Sequence, residues 1–259
     1  MNFLNATYGE GSMNLLARPQ QGPNGSYGGG EHVAGTTTSK RPVLVINGIT
    51  GFASDYFQTR DYFLSNGYSP EEFYMTTYWD GTASPSETLK CLYCKEIRLF
   101  ILAVSTFTNS QVDILAYSMG SPVARKAIMG GNCVDTSEVL GASMSSSVHH
   151  FVSIAGPNYG VKDCTSFFYS FLATCNTNNG MRCNSVYLNN INTGSHYEGD
   201  TIHTIYSSTD NVIGYKVSCG NTVTGNIPGQ NAAYLYTGLT HTQTFFNTLD
   251  RQLSIITSP

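Results

Sequence analysis

The stretch Gln111-Val-Asp-Ile-Leu-Ala-Tyr-Ser118-Met-Gly120-Ser-Pro-Val-Ala-Arg-Lys-Ala-Ile-Met129-Gly130 decides how the rest of this chain is read. Residues 112–116 form an apolar, strand-like run; the pattern breaks at Ser118, and Val123, Ala124, Ala127 and Ile128 then share one face at helical spacing. The stretch is therefore a strand, a sharp turn carrying a serine, and a helix. Ala116-x-Ser118-x-Gly120 is a variant of the G-x-S-x-G nucleophile elbow, with alanine at its first position. Small residues belong two before and two after the serine because strand and helix backbones pass close together there, and alanine adds one methyl. The turn is expected to strain Ser118 so that its hydroxyl stands at the top of a sheet, with the first amides of the helix aimed at the same place. Pro122 suits a helix's first turn, and Gly130-Gly131 closes the helix. Three small residues in five occur by chance; strand before and helix after are the context that the motif requires.

Upstream, Pro42-Val-Leu-Val-Ile-Asn47 is a continuous apolar run of the kind buried on both faces of a sheet, followed at once by Gly48-Ile49-Thr50-Gly51. A phosphate loop would need G-x-x-x-x-G-K-[ST], and no lysine follows. Residues 56–66 read as a helix ended by Gly67, 73–79 as a strand and 86–107 as a long helix. Further strands are expected at 151–155, 202–208 and 232–236, and a last helix at 242–253. Strands alternating with helices predict an α/β fold, a mostly parallel doubly wound sheet with helices on both faces. Residues 1–40 are polar and glycine-rich without a sustained period and read as a lead-in arm. Residues 41–259 read as a single domain with an irregular insertion at about 157–200.

A serine hydroxyl is a poor nucleophile at neutral pH, so it needs a base in reach and a carboxylate to fix that base's tautomer. In an open parallel sheet the site lies beyond the carboxyl ends of the strands, so the partners must follow strands. His149 and His150 enter the 151–155 strand, His203 lies near the start of the next, and His32 sits in the arm. His196, in the insertion, is not excluded by topology, but only His241 lies between a strand and the helix after it. Asp113 is on the serine's own strand, five residues back, which places it about 16 Å away. Asp210, just past 202–208, is the expected acid; Asp163 and Asp80 are the runners-up. Tetrahedral chemistry at Ser118 would also need two amide donors, expected at Met119 and, from the loop after the first long apolar strand, at Ile49.

Asn47-Gly-Ile49, Ala116-x-Ser118-Met-Gly120, Ser207-x-x-Asp210 and Gly238-x-x-His241, in that order, resemble the class 2 triacylglycerol lipases, secreted α/β-hydrolases. The resemblance covers about residues 42–255. It implies an α/β-hydrolase fold, Ser118 as nucleophile, Asp210 and His241 as its partners, Ile49 and Met119 as oxyanion donors, and a lipid or ester substrate cleaved without a cofactor or metal. One departure is visible: the family usually has histidine where this chain has Asn47, so the hydrogen bonds around the oxyanion loop are expected to differ. The aromatic segment containing Phe167, Phe168 and Phe171 is open to three readings: a wall of the acyl pocket, a contact with a lipid surface, or a short helix packed on the core.

The 259 residues carry a formal net charge of −4 with no cluster of Lys and Arg, which leaves no electrostatic footprint for nucleic acid or an anionic membrane. The longest apolar runs, such as 99–104, fall far short of the roughly 18 residues that span a bilayer. Seven cysteines, a charged fraction of 12% and the sequons Asn5-Ala-Thr7 and Asn24-Gly-Ser26 favour a secreted, disulfide-bearing glycoprotein; a monomer is the separate expectation for its assembly. Residues 1–15 lack the basic start and apolar core of a signal peptide, so the leader is expected to be removed or to lie outside the gene model. Cys91-x-x-Cys94 falls inside the predicted long helix, unlike a redox pair at a helix start, and no second pair completes a zinc site. Cys175 and Cys183 are candidates to staple the insertion, and the odd count leaves one thiol over. Two other functions remain on sequence grounds: a polyester depolymerase with the same serine chemistry, and a catalytically silent lipid-binding member of the fold.

Overall fold

Alternation along the central strands divides the core in two. In the computed structural model, which describes residues 2–81 and 87–258, the strands are β1 (Ser26–Tyr27), β2 (Val43–Ile46), β3 (Phe73–Thr76), β4 (Val112–Tyr117), β5 (Val148–Ile154), β6 (Thr201–Ser207) and β7 (Ala232–Tyr236). Their order is β1-β3-β2-β4-β5-β6-β7, and every pair except the antiparallel β1–β3 is parallel. Leu44, Ile46, Ile114 and Ala116 enter one core, and Val43, Val45, Leu115 and Tyr117 the other. A strand that feeds two cores has no polar face, which is why β2 reads as an unbroken apolar run. β7 lies at the edge and alternates half-buried with exposed residues.

The helices are α1 (Asn2–Tyr8), α2 (Glu10–Leu16), α3 (Phe57–Ser65), α4 (Cys91–Phe107), α5 (Gly120–Met129), α6 (Val186–Ile191), α7 (His241–Phe246) and α8 (Leu249–Ile256). Helices α4, α5 and α6 contribute to the first core, and α3, α7 and α8 to the second. The chain leaves β2 towards β3 on one side and enters β4 on the other. That reversal opens a crevice at the carboxyl ends of β2 and β4, where doubly wound sheets form their sites.

Several elements differ from their sequence-based bounds. Residues 1–40 are more than a lead-in: α1 and α2 pack together, and Ser26 and Tyr27 pair with Thr76 and Met75 to extend the sheet by one strand. Elements this short have too few residues to show a period. The strand expected over 73–79 ends at Thr76, and Trp79 already has a φ of 58°. Ser86, the expected start of the long helix, lies outside the described residues; the helix there runs Cys91–Phe107. The single helix expected over 242–253 is two, parted at Asn247-Thr248, where Thr248 Oγ1 donates to Thr244 O and Gln252 Nε2 to Phe245 O. Side chains there take carbonyls that an unbroken helix would give to its own amides.

Three disulfides join Cys91 to Cys133, Cys164 to Cys175 and Cys183 to Cys219. Cys175 and Cys183 both staple the insertion, each with a partner that sequence left open: Cys175 closes a short loop within it, while Cys183 ties it to the segment after β6. Spacing could not reveal this, because the partner of Cys183 lies 36 residues away in sequence. The Cys91-x-x-Cys94 pair also sits differently from expectation, since Cys91 is the first residue of α4. Cys94 is a buried free thiol pushed up to about 12 by desolvation and lies 3.2 Å from the Tyr187 hydroxyl. No helix among the described residues is long and apolar enough to cross a membrane.

Candidate active site

Ser118 directly follows β4 with φ at 51°, the left-handed region that a serine enters only when its surroundings enforce it. The enforcement is visible. Ser118 N donates to Ile154 O of the neighbouring strand at 2.9 Å, and Ser121 N turns back to Ser118 O at 2.9 Å to start α5. The approach of α5 to β2 is close enough that a Cβ on Gly120 would lie 2.3 Å from Asn47 O, so only glycine fits. Across the crevice, a Cβ on Gly48 would come within 3.0 Å of Ser118 Cβ. Ala116 is fully buried in the first core, where its methyl is accommodated. Beneath the turn, Ser121 Oγ, Ser153 Oγ and the Asn158 amide form a closed buried set of hydrogen bonds at 2.7–2.9 Å.

His241 is the first residue of α7, which begins one residue before the helix start expected from sequence. Thr240 caps that helix: its hydroxyl accepts from Gln243 N at 3.3 Å, and the Gln243 side chain accepts from Thr240 N at 2.9 Å. Asp210 follows β6 in a tight turn, its Oδ1 accepting the amides of Val212 and Ile213, both at 2.9 Å. Its other oxygen, Oδ2, lies 2.7 Å from His241 Nδ1, and His241 Nε2 lies 2.9 Å from Ser118 Oγ. A carboxylate can only accept at Nδ1, so the imidazole proton sits there and Nε2 presents a lone pair to the hydroxyl. Ser118, Asp210 and His241 are 8%, 7% and 6% exposed, shielded from bulk water yet open on one side. The Tyr117 ring packs 5.1 Å from the imidazole.

The structure thus brings together the three residues that topology selected. The carboxylate beside His241 is that of Asp210, while Asp163 lies in a short 3-10 helix, Lys162–Thr165. His196 is exposed and contacts the carbonyls of Gly229 and Asp200. Met119 is buried at the start of α5, and Ile49 follows Gly48, the residue of the loop after β2 that approaches Ser118. Among the described residues neither amide donates to a protein acceptor. Phe167, Phe168 and Phe171 are 86%, 76% and 77% exposed. The reading of a short helix packed on the core is overturned, because the Cys164–Cys175 disulfide closes this segment as a surface loop.

Two residues of the site escaped sequence reasoning, and the bonds made by a third, Asn47, could not be read from it. Asn211 Oδ1 accepts the His241 amide at 3.0 Å and so sets the position of the imidazole's own backbone. Thr209 Oγ1 accepts Gly238 N at 2.9 Å and donates to Leu239 O at 3.0 Å, tying the Asp210 turn to the His241 loop. Asn47 folds its side chain over the loop that contains Ile49, with Nδ2 3.1 Å from Gly48 O and 2.9 Å from Gly51 O. The signal for the first two was the polar run Ser207-Ser-Thr-Asp-Asn directly after an apolar strand.

Residues 40–254 match the family model described as Lipase (class 2). No curated protein matches the chain. Among solved structures the fold is similar to that of Aspergillus fumigatus lipase B, with 14% identity and a TM-score of 0.62 over 89% of this chain and 55% of that one. It is similar to the mature form of Bacillus licheniformis lipase BlEst2, at 12% identity and a TM-score of 0.57 over 91% and 99% of the two chains. Paleococcus ferrophilus monoacylglycerol lipase is 8% identical, with a TM-score of 0.53 over 84% and 94%. The chain spans about half the length of the Aspergillus protein. At such identities the likeness establishes the fold, an α/β-hydrolase, and nothing finer.

Proposed function

Since the chain belongs to the class 2 lipase family, we propose that it is a serine carboxylic ester hydrolase that cleaves acylglycerol esters through an acyl-enzyme on Ser118. The observation that carries this reading is the relay Asp210 Oδ2–His241 Nδ1 at 2.7 Å and His241 Nε2–Ser118 Oγ at 2.9 Å. His241 takes the Ser118 proton as Oγ attacks the ester carbonyl. The negative charge that develops on the carbonyl oxygen falls to the amides of Ile49 and Met119. His241 then gives its proton to the departing alcohol, and water hydrolyses the acyl-enzyme by the same steps. Asp210 holds the tautomer and stabilises the imidazolium; it stays ionised.

Phe167, Phe168 and Phe171, exposed on a disulfide-closed loop, suit contact with a lipid surface better than packing within the protein. The three disulfides suit secretion into an oxidising compartment. The test is hydrolysis of soluble short-chain esters, emulsified triglyceride and polyhydroxyalkanoate by wild type beside Ser118→Ala, with a fluorophosphonate probe. Labelling and hydrolysis of emulsified triglyceride that vanish in Ser118→Ala are expected. Polyhydroxyalkanoate as the sole good substrate would favour a polyester depolymerase, and an unlabelled, inactive wild type would favour a lipid-binding protein.

A further inference from the structure

We infer that Asn47 is a positioning residue that locks the Gly48–Ile49 peptide so that its N–H faces the reaction site. The inference rests on the serine-hydrolase reading above. In a trans peptide the carbonyl of residue 48 and the amide of residue 49 point in opposite directions from one plane. Whatever holds Gly48 O therefore also sets the direction of the Ile49 N–H. Asn47 Nδ2 donates to Gly48 O at 3.1 Å, and the buried Tyr78 hydroxyl donates to the same oxygen at 3.4 Å. The second proton on Asn47 Nδ2 goes to Gly51 O at 2.9 Å, closing the loop of residues 47–51 on its own first residue.

The need for such a lock follows from local composition. Glycine at 48 sits where an added Cβ would crowd Ser118 at 3.0 Å, and glycine is the residue whose flanking peptide rotates at least cost. Rotation of that unit would turn Gly48 O towards the developing oxyanion and replace an attractive dipole with a repulsive one. Asn47 itself is held: it is 1% exposed, and its own carbonyl is wedged where a Cβ on Gly120 would stand. The amide orientation is fixed by chemistry, since the swapped assignment would press Oδ1 against two carbonyl oxygens. In the orientation adopted, Oδ1 is buried without a partner among the described residues. A buried acceptor left unmatched is unfavourable, so this side chain is placed for its two donated bonds.

The test compares Asn47→Asp, Asn47→Ala and Tyr78→Phe with wild type on a soluble ester. Aspartate keeps the shape of asparagine but presents an acceptor to both carbonyls. Loss of one oxyanion donor costs on the order of 100-fold in kcat, and Asn47→Asp is expected to lose at least about 30-fold of it, Asn47→Ala about tenfold and Tyr78→Phe about threefold. KM should stay within about twofold, affinity for an alkylboronic acid that forms a tetrahedral adduct should fall in step with kcat, and the acid limb of the pH–rate profile should not move. An Asn47→Asp enzyme within twofold of the wild-type kcat would overturn the inference. So would a loss carried by KM or by a displaced acid limb, because a merely structural role produces those. If Asn47 variants do not fold, Tyr78→Phe alone decides, and unchanged kcat and boronate affinity would refute the lock. Absent fluorophosphonate labelling of wild type removes the serine reading and this inference together, whereas labelling with unaffected Asn47 and Tyr78 variants removes this inference alone.

Discussion

Replacing Asp210 by asparagine should disable the protein without unfolding it, and the geometry says why. Asp210 Oδ1 accepts two amides, from Val212 and Ile213, and Oδ2 accepts the proton on His241 Nδ1. Asparagine has one acceptor oxygen and one donor nitrogen. The two amides need the oxygen, so the side-chain NH2 is left facing Nδ1. To avoid opposing two N–H groups, the imidazole must move its proton from Nδ1 to Nε2, and Nε2–H then points at Ser118 Oγ, from which it can no longer take a proton. A wrong-tautomer histidine in such a relay lowers kcat by about 10⁴-fold, equivalent to about 5.5 kcal/mol of transition-state stabilisation. Because the amide bonds to the turn survive, the thermal midpoint should stay within a few degrees of wild type. The assay is kcat/KM on a soluble ester together with a thermal melt, run beside Asp163→Asn. Retention of more than a tenth of wild-type activity by Asp210→Asn, or an inactive Asp163→Asn, would refute the reasoning.

Exposure of the Phe167, Phe168 and Phe171 rings predicts that the triple serine variant loses about tenfold on emulsified triglyceride while soluble-ester kcat/KM stays within twofold; equal losses on both would count against surface contact. At the opposite end of the sheet, burial lowers His150 to about 4 and also lowers His203. These imidazoles are neutral in the fold, so they remove stability as pH falls from about 6.5, where the unfolded chain begins to take up protons, towards 4. Burial raises Asp113 to about 6, which acts in the opposite sense, the folded form binding a proton first as pH falls. Urea midpoints between pH 7.5 and 4.5 should therefore fall less steeply in His150→Gln and more steeply in Asp113→Asn; parallel slopes in all three proteins would contradict this. Native protein should react with no thiol reagent and release one thiol on unfolding, that of buried Cys94, and opening the Cys164–Cys175 loop by a double serine substitution should cost roughly 2–4 kcal/mol in a denaturant melt.

Legibility varied with the range of the interaction concerned. The elbow at Ser118 was readable because strand, turn and helix are contiguous and each leaves a short-range pattern. Asp210 and His241 were readable because only residues following a parallel strand reach the crevice, a rule that needs strand positions but no coordinates. Residues 1–40 read as an arm because α1, α2 and β1 are too short to display a period, and their order comes from packing on the sheet edge and α4. The pairing of Cys183 with Cys219 and the break between α7 and α8 depend on contacts or competing hydrogen bonds that no periodicity encodes.

By itself the sequence determined the order of the strands from β2 onward, the doubly wound character of the sheet, and the serine, aspartate and histidine expected at its carboxyl edge. Those follow from hydrophobic period, small residues at a close crossing and chain direction, all of which are local. Only the tertiary structure decided how the groups are held: Asn211 on the His241 backbone, Thr209 between two loops, and Asn47 across the Gly48–Ile49 peptide. The physical reason is that a polar side chain's role is set by where its few directional bonds find partners. Those partners come close only after the chain has folded around its two apolar cores.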